Sequence, residues 1–209
     1  MHKFLISYCL FLLISLSAAS QNARKVLDAT AACMTQSGDV KVKFKATQFS
    51  GTTPQGEAAG TFLISGNKLQ MTTEEISTWY DGKTQWSMMK GSNEVNISEP
   101  DEEEQAAMNP AKLVSIYKNG YKYSITESSL RGKATYVVTL QAKNRKAAFN
   151  YIILDVDKAT YQPLCIRAKR DGDWMRLSIL SFENKLKFPD NTFQFPEKDF
   201  QNIEMIDLR

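Results

Sequence analysis

The sequence predicts a mainly β chain with helices, in which one strongly curved antiparallel sheet of roughly ten or eleven strands forms the body. Three observations carry this expectation. Val40, Val42, Phe44 and Ala46 alternate with Lys41, Lys43 and Lys45, the period of two that gives a strand one covered and one wet face. Asp81-Gly82 stands between two short aromatic-bearing segments, Trp79-Tyr80 and Gln85-Trp86, a hairpin signal because Gly supplies positive φ and Asp tolerates the turn. Most of the later apolar runs are separated by turn segments of hairpin length, with no repeat or linker dividing the chain.

The elements follow in order. Asn22 to Met34 reads as a helix, its apolar stripe marked by Val26, Leu27, Thr30, Ala31, Cys33 and Met34. The alternating strand at Val40–Ala46 leads to a turn-rich loop from Gly51 to Gly56, then a strand from about Ala58 to Ser65. Gly66-Asn67 turns the chain into a strand over Lys68–Glu75. The tryptophan hairpin follows, and Gly91-Ser92 leads into a short strand ending at Ile97. Beyond Pro100 the pattern changes. Asp101 to Glu104 suit a helix N-terminus, and Asn109-Pro110 reads as an N-cap with Pro at the first helical position. Leu113, Val114, Ile116 and Tyr117 supply that helix's stripe, which ends at Gly120. Strands resume from Tyr121, with Ala134–Ala142, Ala147–Val156, Tyr161–Arg170 and Trp174–Phe182 the clearest. Phe193–Phe195, between two prolines, reads as a short edge strand.

The N-terminus carries an address. Met1-His2-Lys3 precedes an apolar segment from Phe4 to Leu16, and Ser17-Ala18-Ala19-Ser20 supplies small residues, so residues 1–20 read as a signal peptide cleaved before Gln21. The segment is too short to span a bilayer as a mature helix. Cys9 lies inside it without the small residues of a lipid-attachment site. Removing residues 1–20 of the 209 leaves 189, read as a single domain. The charge falls from +3 to +2, because Lys3 is the only charged side chain removed. That balance, with no Lys/Arg block, does not suggest nucleic acid. Two cysteines remain, Cys33 and Cys165, and spacing alone leaves their pairing open.

The only histidine, His2, leaves with the signal peptide. A Ser-His-Asp or Cys-His site and a His-ligated metal are thereby excluded from the mature chain. Gly51 to Gly56 has phosphate-loop spacing but continues with Glu57 in place of Lys. Glu74 and Glu75 are adjacent on a strand and point to opposite faces, a poor start for an acid–base pair. Carboxylates distant in sequence leave a hydrolase as the minority reading. Asp101–Glu104 serve either a helix start or a docking patch, and Asn96-Ile97-Ser98 matches a glycosylation triplet that needs a compatible host.

The large apolar side chains are spread over many strands. Phe62, Met71, Trp79, Trp86, Met88, Tyr136, Phe149, Tyr151 and Trp174 serve either as ordinary core or as the lining of a cavity that a curved sheet gathers on its concave face. A half-barrel covered by short helices could hold a removable apolar guest.

Here the chain resembles the periplasmic outer-membrane lipoprotein carrier family, LolA. The resemblance runs over nearly the whole mature chain, through the first helix, Gly60-Thr61-Phe62-Leu63, Asp81-Gly82-Lys83-Thr84-Gln85-Trp86, Asn109-Pro110-Ala111-Lys112-Leu113 and Phe193-Gln194-Phe195-Pro196. It implies an unclosed barrel with a helical lid over an apolar cavity. It further implies a periplasmic monomer that receives acylated lipoproteins from an inner-membrane ABC transporter and shields their acyl chains. Transfer would need no catalysis, cofactor or metal, and the outer-membrane acceptor stays open. Against this background Phe44, Phe62, Met71, Trp79, Trp86, Met88, Leu113, Ile116, Tyr136, Phe149 and Tyr151 are expected to line the cavity. The helices between Pro100 and Lys118 are the expected lid, and replacing Trp86 with Glu is expected to block uptake without unfolding the chain. One departure stands out. The best-studied type carries an arginine just after the second strand that helps hold the lid closed, whereas Ser65-Gly66-Asn67 occupies that stretch here. The expected fold is also similar to that of lipid-sensing domains in envelope-stress regulators, which bind acylated ligands without delivering them and usually carry a second domain.

Overall fold

The computed structural model describes residues 21–36, 38–118 and 120–209, so the expected signal peptide lies outside the described residues. Helix α1 covers 21–35. Six strands follow: β1 (Asp39–Ser50), β2 (Thr53–Ser65), β3 (Lys68–Thr73), β4 (Ile76–Tyr80), β5 (Gln85–Met89) and β6 (Glu94–Ser98). Two short helices, α2 (Glu102–Met108) and α3 (Pro110–Ser115), interrupt them. Then come β7 (Tyr121–Leu130), β8 (Lys133–Ala142), β9 (Tyr151–Asp157), β10 (Pro163–Arg170), β11 (Asp173–Leu186) and β12 (Glu204–Asp207).

Hairpin connections make almost every ladder antiparallel, and the strands form one sheet of twelve in the order β12-β6-β5-β4-β3-β2-β1-β11-β10-β9-β8-β7. The end strands β12 and β7 do not pair with each other, so the curved sheet is an unclosed barrel. Its central seam is β1, which pairs β2 on one side and β11 on the other.

Several boundaries differ from expectation. β2 starts at Thr53, so most of the anticipated Gly51–Gly56 loop is strand, because β1 and β2 keep pairing out to Ser50↔Thr53. The Asp81-Gly82 turn spans four residues, with the Asp81 carboxylate accepting from the Lys83 and Thr84 amides at 2.9 Å. Phe193–Phe195 is not an edge strand: Asp190–Phe193 is a 3₁₀ turn. The true edge strand is β12, which pairs β6 in parallel from Glu204↔Glu94 to Asp207↔Ile97. Cys33 and Cys165 are free and buried.

The two helices after β6 start where their caps dictate. Asp101 Oδ1 accepts from the Glu104 amide and Glu104 Oε2 accepts from the Asp101 amide, both at 2.9 Å, a closed capping box. Asp101 and Glu104 of the acidic run are thus occupied in starting α2. Asn109 Oδ1 then accepts from the Ala111 amide at 2.9 Å, with Pro110 in the first turn of α3.

One main core lies on the concave face, where Val26, Leu27 and Met34 of α1 and Leu113 and Val114 of α3 join Val42, Phe44, Ile64, Val138, Leu154 and Ile166 of the sheet. A second cluster forms around Trp79, Met88, Val95 and Phe195, with Trp86, Phe200 and Ile203 against it.

One end of the half-barrel is clasped. Arg131, in the turn between β7 and β8, donates from Nη1 to the Ile179 carbonyl and from Nη2 to the Leu164 carbonyl, each at 2.7 Å. Both carbonyls sit beside register breaks, one between Lys43 and Phe44 in the β1–β11 ladder and one between Pro163 and Cys165 in the β10–β9 ladder. The guanidinium fork therefore bonds carbonyls at the places where the ladder is irregular, and it ties the β7–β8 turn across to β10 and β11.

Candidate functional site

Register decides what faces the concave side. Phe44 stands opposite Gly60, Phe62 opposite Met71, Met71 opposite Thr78 and Thr78 opposite Ser87, so these residues share one face across five strands. The Phe44 and Phe62 rings stack at 4.2 Å with a 22° tilt. Gly60 makes this possible: a Cβ there would lie 2.9 Å from the Phe44 ring and would collide with the Thr72 carbonyl oxygen. Glycine is thus set by close packing, independent of turn geometry.

Between this face and α2–α3 lies a cavity of two adjoining chambers. The inner chamber, about 560 Å³, is lined by Phe44, Phe62, Met71, Ile76, Leu177, Met108 and Leu113, with a polar strip of Thr78, Gln85, Ser87 and Ser98 continuing the same sheet face and Glu104 on the covering helix. Thr78 and Ser87 hydroxyls lie 3.2 Å apart, and Gln85 Nε2 donates to Ser87 Oγ at 3.1 Å. The outer chamber, about 520 Å³, has walls of Ala46, Gly56, Ala58, Ala107 and Ala168, with Phe149, Trp174 and Met175. Arg170, Asp171 and Asp173 also line it. Both volumes fall within the range of roughly 300–1,000 Å³ common to ligand clefts.

The cover is lightly held on one side and firmly on the other. α2 buries only Ala106, whereas α3 buries Pro110, Ala111, Leu113 and Val114. Just beyond α3, the Tyr117 hydroxyl donates to the Asp28 carboxylate of α1. Burial and that carboxylate hold the Tyr117 phenol protonated far above its usual range. The segment is thus anchored at its C-terminal end, with α2 as the looser part.

Of the expected lining residues, Phe44, Phe62, Met71 and Leu113 face the inner chamber and Phe149 the outer one. The others do not. Trp79 pairs Trp86 and Ser77 pairs Met88, all on the face opposite Thr78, and Trp79 packs edge-on to Phe195 at 5.3 Å. The apolar surface of the tryptophan hairpin is therefore covered by the chain's own C-terminal segment. Tyr151 lies on that outer face as well, opposite Gln141 and Lys169, its hydroxyl accepting from Gln141 Nε2. Tyr136 stacks near Tyr161 under the Lys158 ammonium, in a separate cleft beside α1. Ile116 packs on the main core without lining either chamber.

What the sequence reading missed is the polar strip and the alanine walls. The segment Ile76-Ser77-Thr78-Trp79-Tyr80 carries apolar residues on both faces, so alternation alone does not orient it. Small residues such as Ala46 and Ala107 leave no hydrophobic signal comparable with a tryptophan, although their smallness is what creates the space. Among the described residues there is no group of His, Cys, Asp and Glu side chains that could hold a metal, and no helix is long and apolar enough to cross a membrane.

Residues 13–173 match the family model described as outer membrane lipoprotein carrier protein LolA. No curated protein matches the chain. Among solved structures, a DUF1329 family protein from Desulfovibrio piger is similar at a TM-score of 0.50 and 10% identity, over 88% of this chain and 99% of that one. LprF from Mycobacterium bovis is similar at a TM-score of 0.50 and 12% identity, over 82% and 97%. A LolA superfamily protein from Nitrosomonas europaea aligns at 0.46 and 11%, over 84% and 98%. At these identities the likeness is one of fold.

Proposed function

The chain belongs to the outer-membrane lipoprotein carrier (LolA) family, and from that premise we propose that it is a periplasmic carrier. It shields the acyl chains of lipoproteins and moves them from the inner membrane toward the outer membrane, receiving them from an ABC transporter. The observation that supports this most directly is the apolar cavity beneath α2 and α3, with Phe44, Phe62 and Met71 on its floor and Leu113 on its roof. Each methylene taken from water into such a space is favourable by about 0.8 kcal/mol, so a lipoprotein with long acyl chains needs this cover to cross an aqueous compartment. No bond is made or broken in the process, and the carrier acts without catalysis or cofactor.

Loading requires the cover to move. α2, with its single buried side chain, is the part that swings, and α3, tied through Tyr117 to α1, is the hinge side. The test is release of a radiolabelled lipoprotein from spheroplasts that contain the matching transporter. Release of the acylated form, and not of a non-acylated variant, is the expected result. Retention of the acylated form despite folded carrier would exclude transport and favour a sensor that binds acyl ligands without delivering them.

A further inference from the structure

The outer face of the sheet carries a continuous row of aromatic, amide and cationic side chains. Ladder register places Phe49 opposite Trp174, Trp174 opposite Lys169 and Lys169 opposite Tyr151. Tyr151 in turn stands opposite Gln141 and Gln141 opposite Lys122, so the row crosses six neighbouring strands on one side. A second row, Thr47, Arg176, Arg167 and Ile153, runs beside it. Trp174 and Thr47 also line the outer chamber, so both rows start at its rim. Two of the cations lie over aromatic rings: Arg176 Cζ is 5.0 Å from the Phe49 ring centre and Lys169 Nζ 6.0 Å from that of Trp174. The carboxylates that flank the rows are taken, Asp155 by Arg167 at 2.9 Å and Glu57 by Lys45 at 2.7 Å. Arg176, Lys169 and Lys122 have no ion-pair partner among the described residues. Arg167 and Arg176 stand directly opposite each other across the β10–β11 ladder, and like charges so placed are destabilising until a further anion joins them.

We propose that this outer strip holds an extended, acidic peptide: the stretch of client polypeptide that follows its acylated end, led from the cavity rim across β11, β10 and β9. The proposal rests on the acyl-carrier reading above and adds the part of the client that stays outside the cavity. Charge complementarity sets the class of partner. The three unpaired cations and the opposed arginines call for carboxylates, and a guanidinium takes a carboxylate with two parallel hydrogen bonds. Phe49, Trp174 and Tyr151 supply apolar area between the charges, the mixture of aromatic and arginine side chains that anchors interfaces. Length fits as well. From β1 to β7 the row spans five strand spacings, which at about 4.8 Å each is roughly 24 Å. That is the reach of about seven extended residues. A flexible chain follows this convex surface along its whole length, whereas a flat anionic membrane meets it only along a line.

The test compares two fluorescent lipopeptides, each a palmitoylated cysteine followed by a short tail, one tail alternating serine with aspartate and the other serine with asparagine. Binding to the purified chain is read by fluorescence anisotropy below the micellar concentration, with circular dichroism to show that every variant is folded. The aspartate tail is expected to bind about tenfold more tightly than the asparagine tail, and the preference should shrink as salt is raised. Arg176→Gln and Lys169→Gln, both on the wet face, are each expected to reduce the preference about two- to fivefold, the range of single exposed ion pairs. The double variant should bind both tails alike, with the affinity for the asparagine tail unchanged. Lys25→Gln, a cation on α1 away from the strip, should leave the preference intact. Equal affinity of the unaltered chain for the two tails would overturn the proposal and leave the carrier reading standing. A preference that survives in the double variant would place the acidic tail elsewhere and overturn it too. Binding to phosphatidylglycerol vesicles that the double variant loses, without any preference between tails, would assign the strip to a membrane surface instead. Failure of the folded, unaltered chain to bind either lipopeptide would refute the acyl-carrier reading itself.

Discussion

Replacing Arg131 with Leu tests how much the clasp at one end of the half-barrel contributes to its stability. The side chain makes two hydrogen bonds at 2.7 Å, to the carbonyls of Ile179 and Leu164. Bonds from a charged donor are worth about 1.5–3 kcal/mol each, and since water reaches this partly buried site the lower end applies, giving about 3 kcal/mol for the pair. The backbone contributes nothing to the difference. Arg131 has φ of 52°, a left-handed conformation equally strained for arginine and leucine. With a urea m-value of about 2 kcal/mol/M, the midpoint of unfolding should fall by roughly 1.5 M at unchanged slope. Arg131→Lys, a point charge in place of a planar fork, should recover less than half of the loss. A midpoint shift below about 0.3 M for Arg131→Leu would refute the reasoning, since it would mean water serves those carbonyls as well as the guanidinium does.

Other outcomes follow from the same geometry. Gly60→Ala places a methyl against the Thr72 carbonyl and the Phe44 ring, and should cost about 1–3 kcal/mol in denaturant unfolding as an overpacked site; a neutral effect would show that β2 and β3 part easily there. Trp86→Glu puts a charge in the cluster of Trp79, Met88 and Phe195 and should lower stability while the folded fraction still binds acyl probes, so selective loss of binding by a stable variant would contradict the placement. Lys133 and the Ala159 amide hold the Asp157 carboxyl below its usual range. A depressed folded pKa contributes stability above the unfolded value, near pH 4, that is lost as pH falls through the folded one. Asp157→Asn should therefore flatten the acid limb of the stability profile, and an unchanged limb would exclude the assignment. Burial raises the pKa of both the Cys33 and Cys165 thiols, so a thiol reagent at neutral pH should label them only as the protein opens, and rapid native labelling would argue against their burial.

The sequence made the sheet legible because its signals are local. Alternation along Val40–Ala46 and the turn residues at Gly66-Asn67, Asp81-Gly82 and Asp171-Gly172 mark strands and hairpins without reference to anything distant. The site was legible only in part, and the tryptophans show why. Trp79 and Trp86 read equally well as core or as cavity lining, and choosing between the two requires knowing that Phe195 and Phe200, more than a hundred residues away, return to that face. The extent of β2 was missed for a related reason. Its first residues, Thr53 to Gly56, are strand because β1 reaches out to meet them, not because of their own propensity. The β12 strand escaped notice because a parallel edge contact far from its partner leaves no turn signal. Alternation around Phe44 and Met71 sets which face those side chains share, whereas the alanine walls leave no mark in the sequence, because empty space has no residue type.

The most direct test of whether acyl chains enter this cavity is site-specific photo-crosslinking with a benzophenone amino acid placed singly at Phe62, Met71 and Trp86, in chains offered an acylated lipoprotein. Crosslinks to the lipoprotein at Phe62 and Met71, lost when the client lacks its acyl chains, with none at Trp86, are the expected result. Crosslinks at Trp86 with none at Phe62 or Met71 would place the ligand on the outer face and contradict the cavity between the sheet and α2–α3.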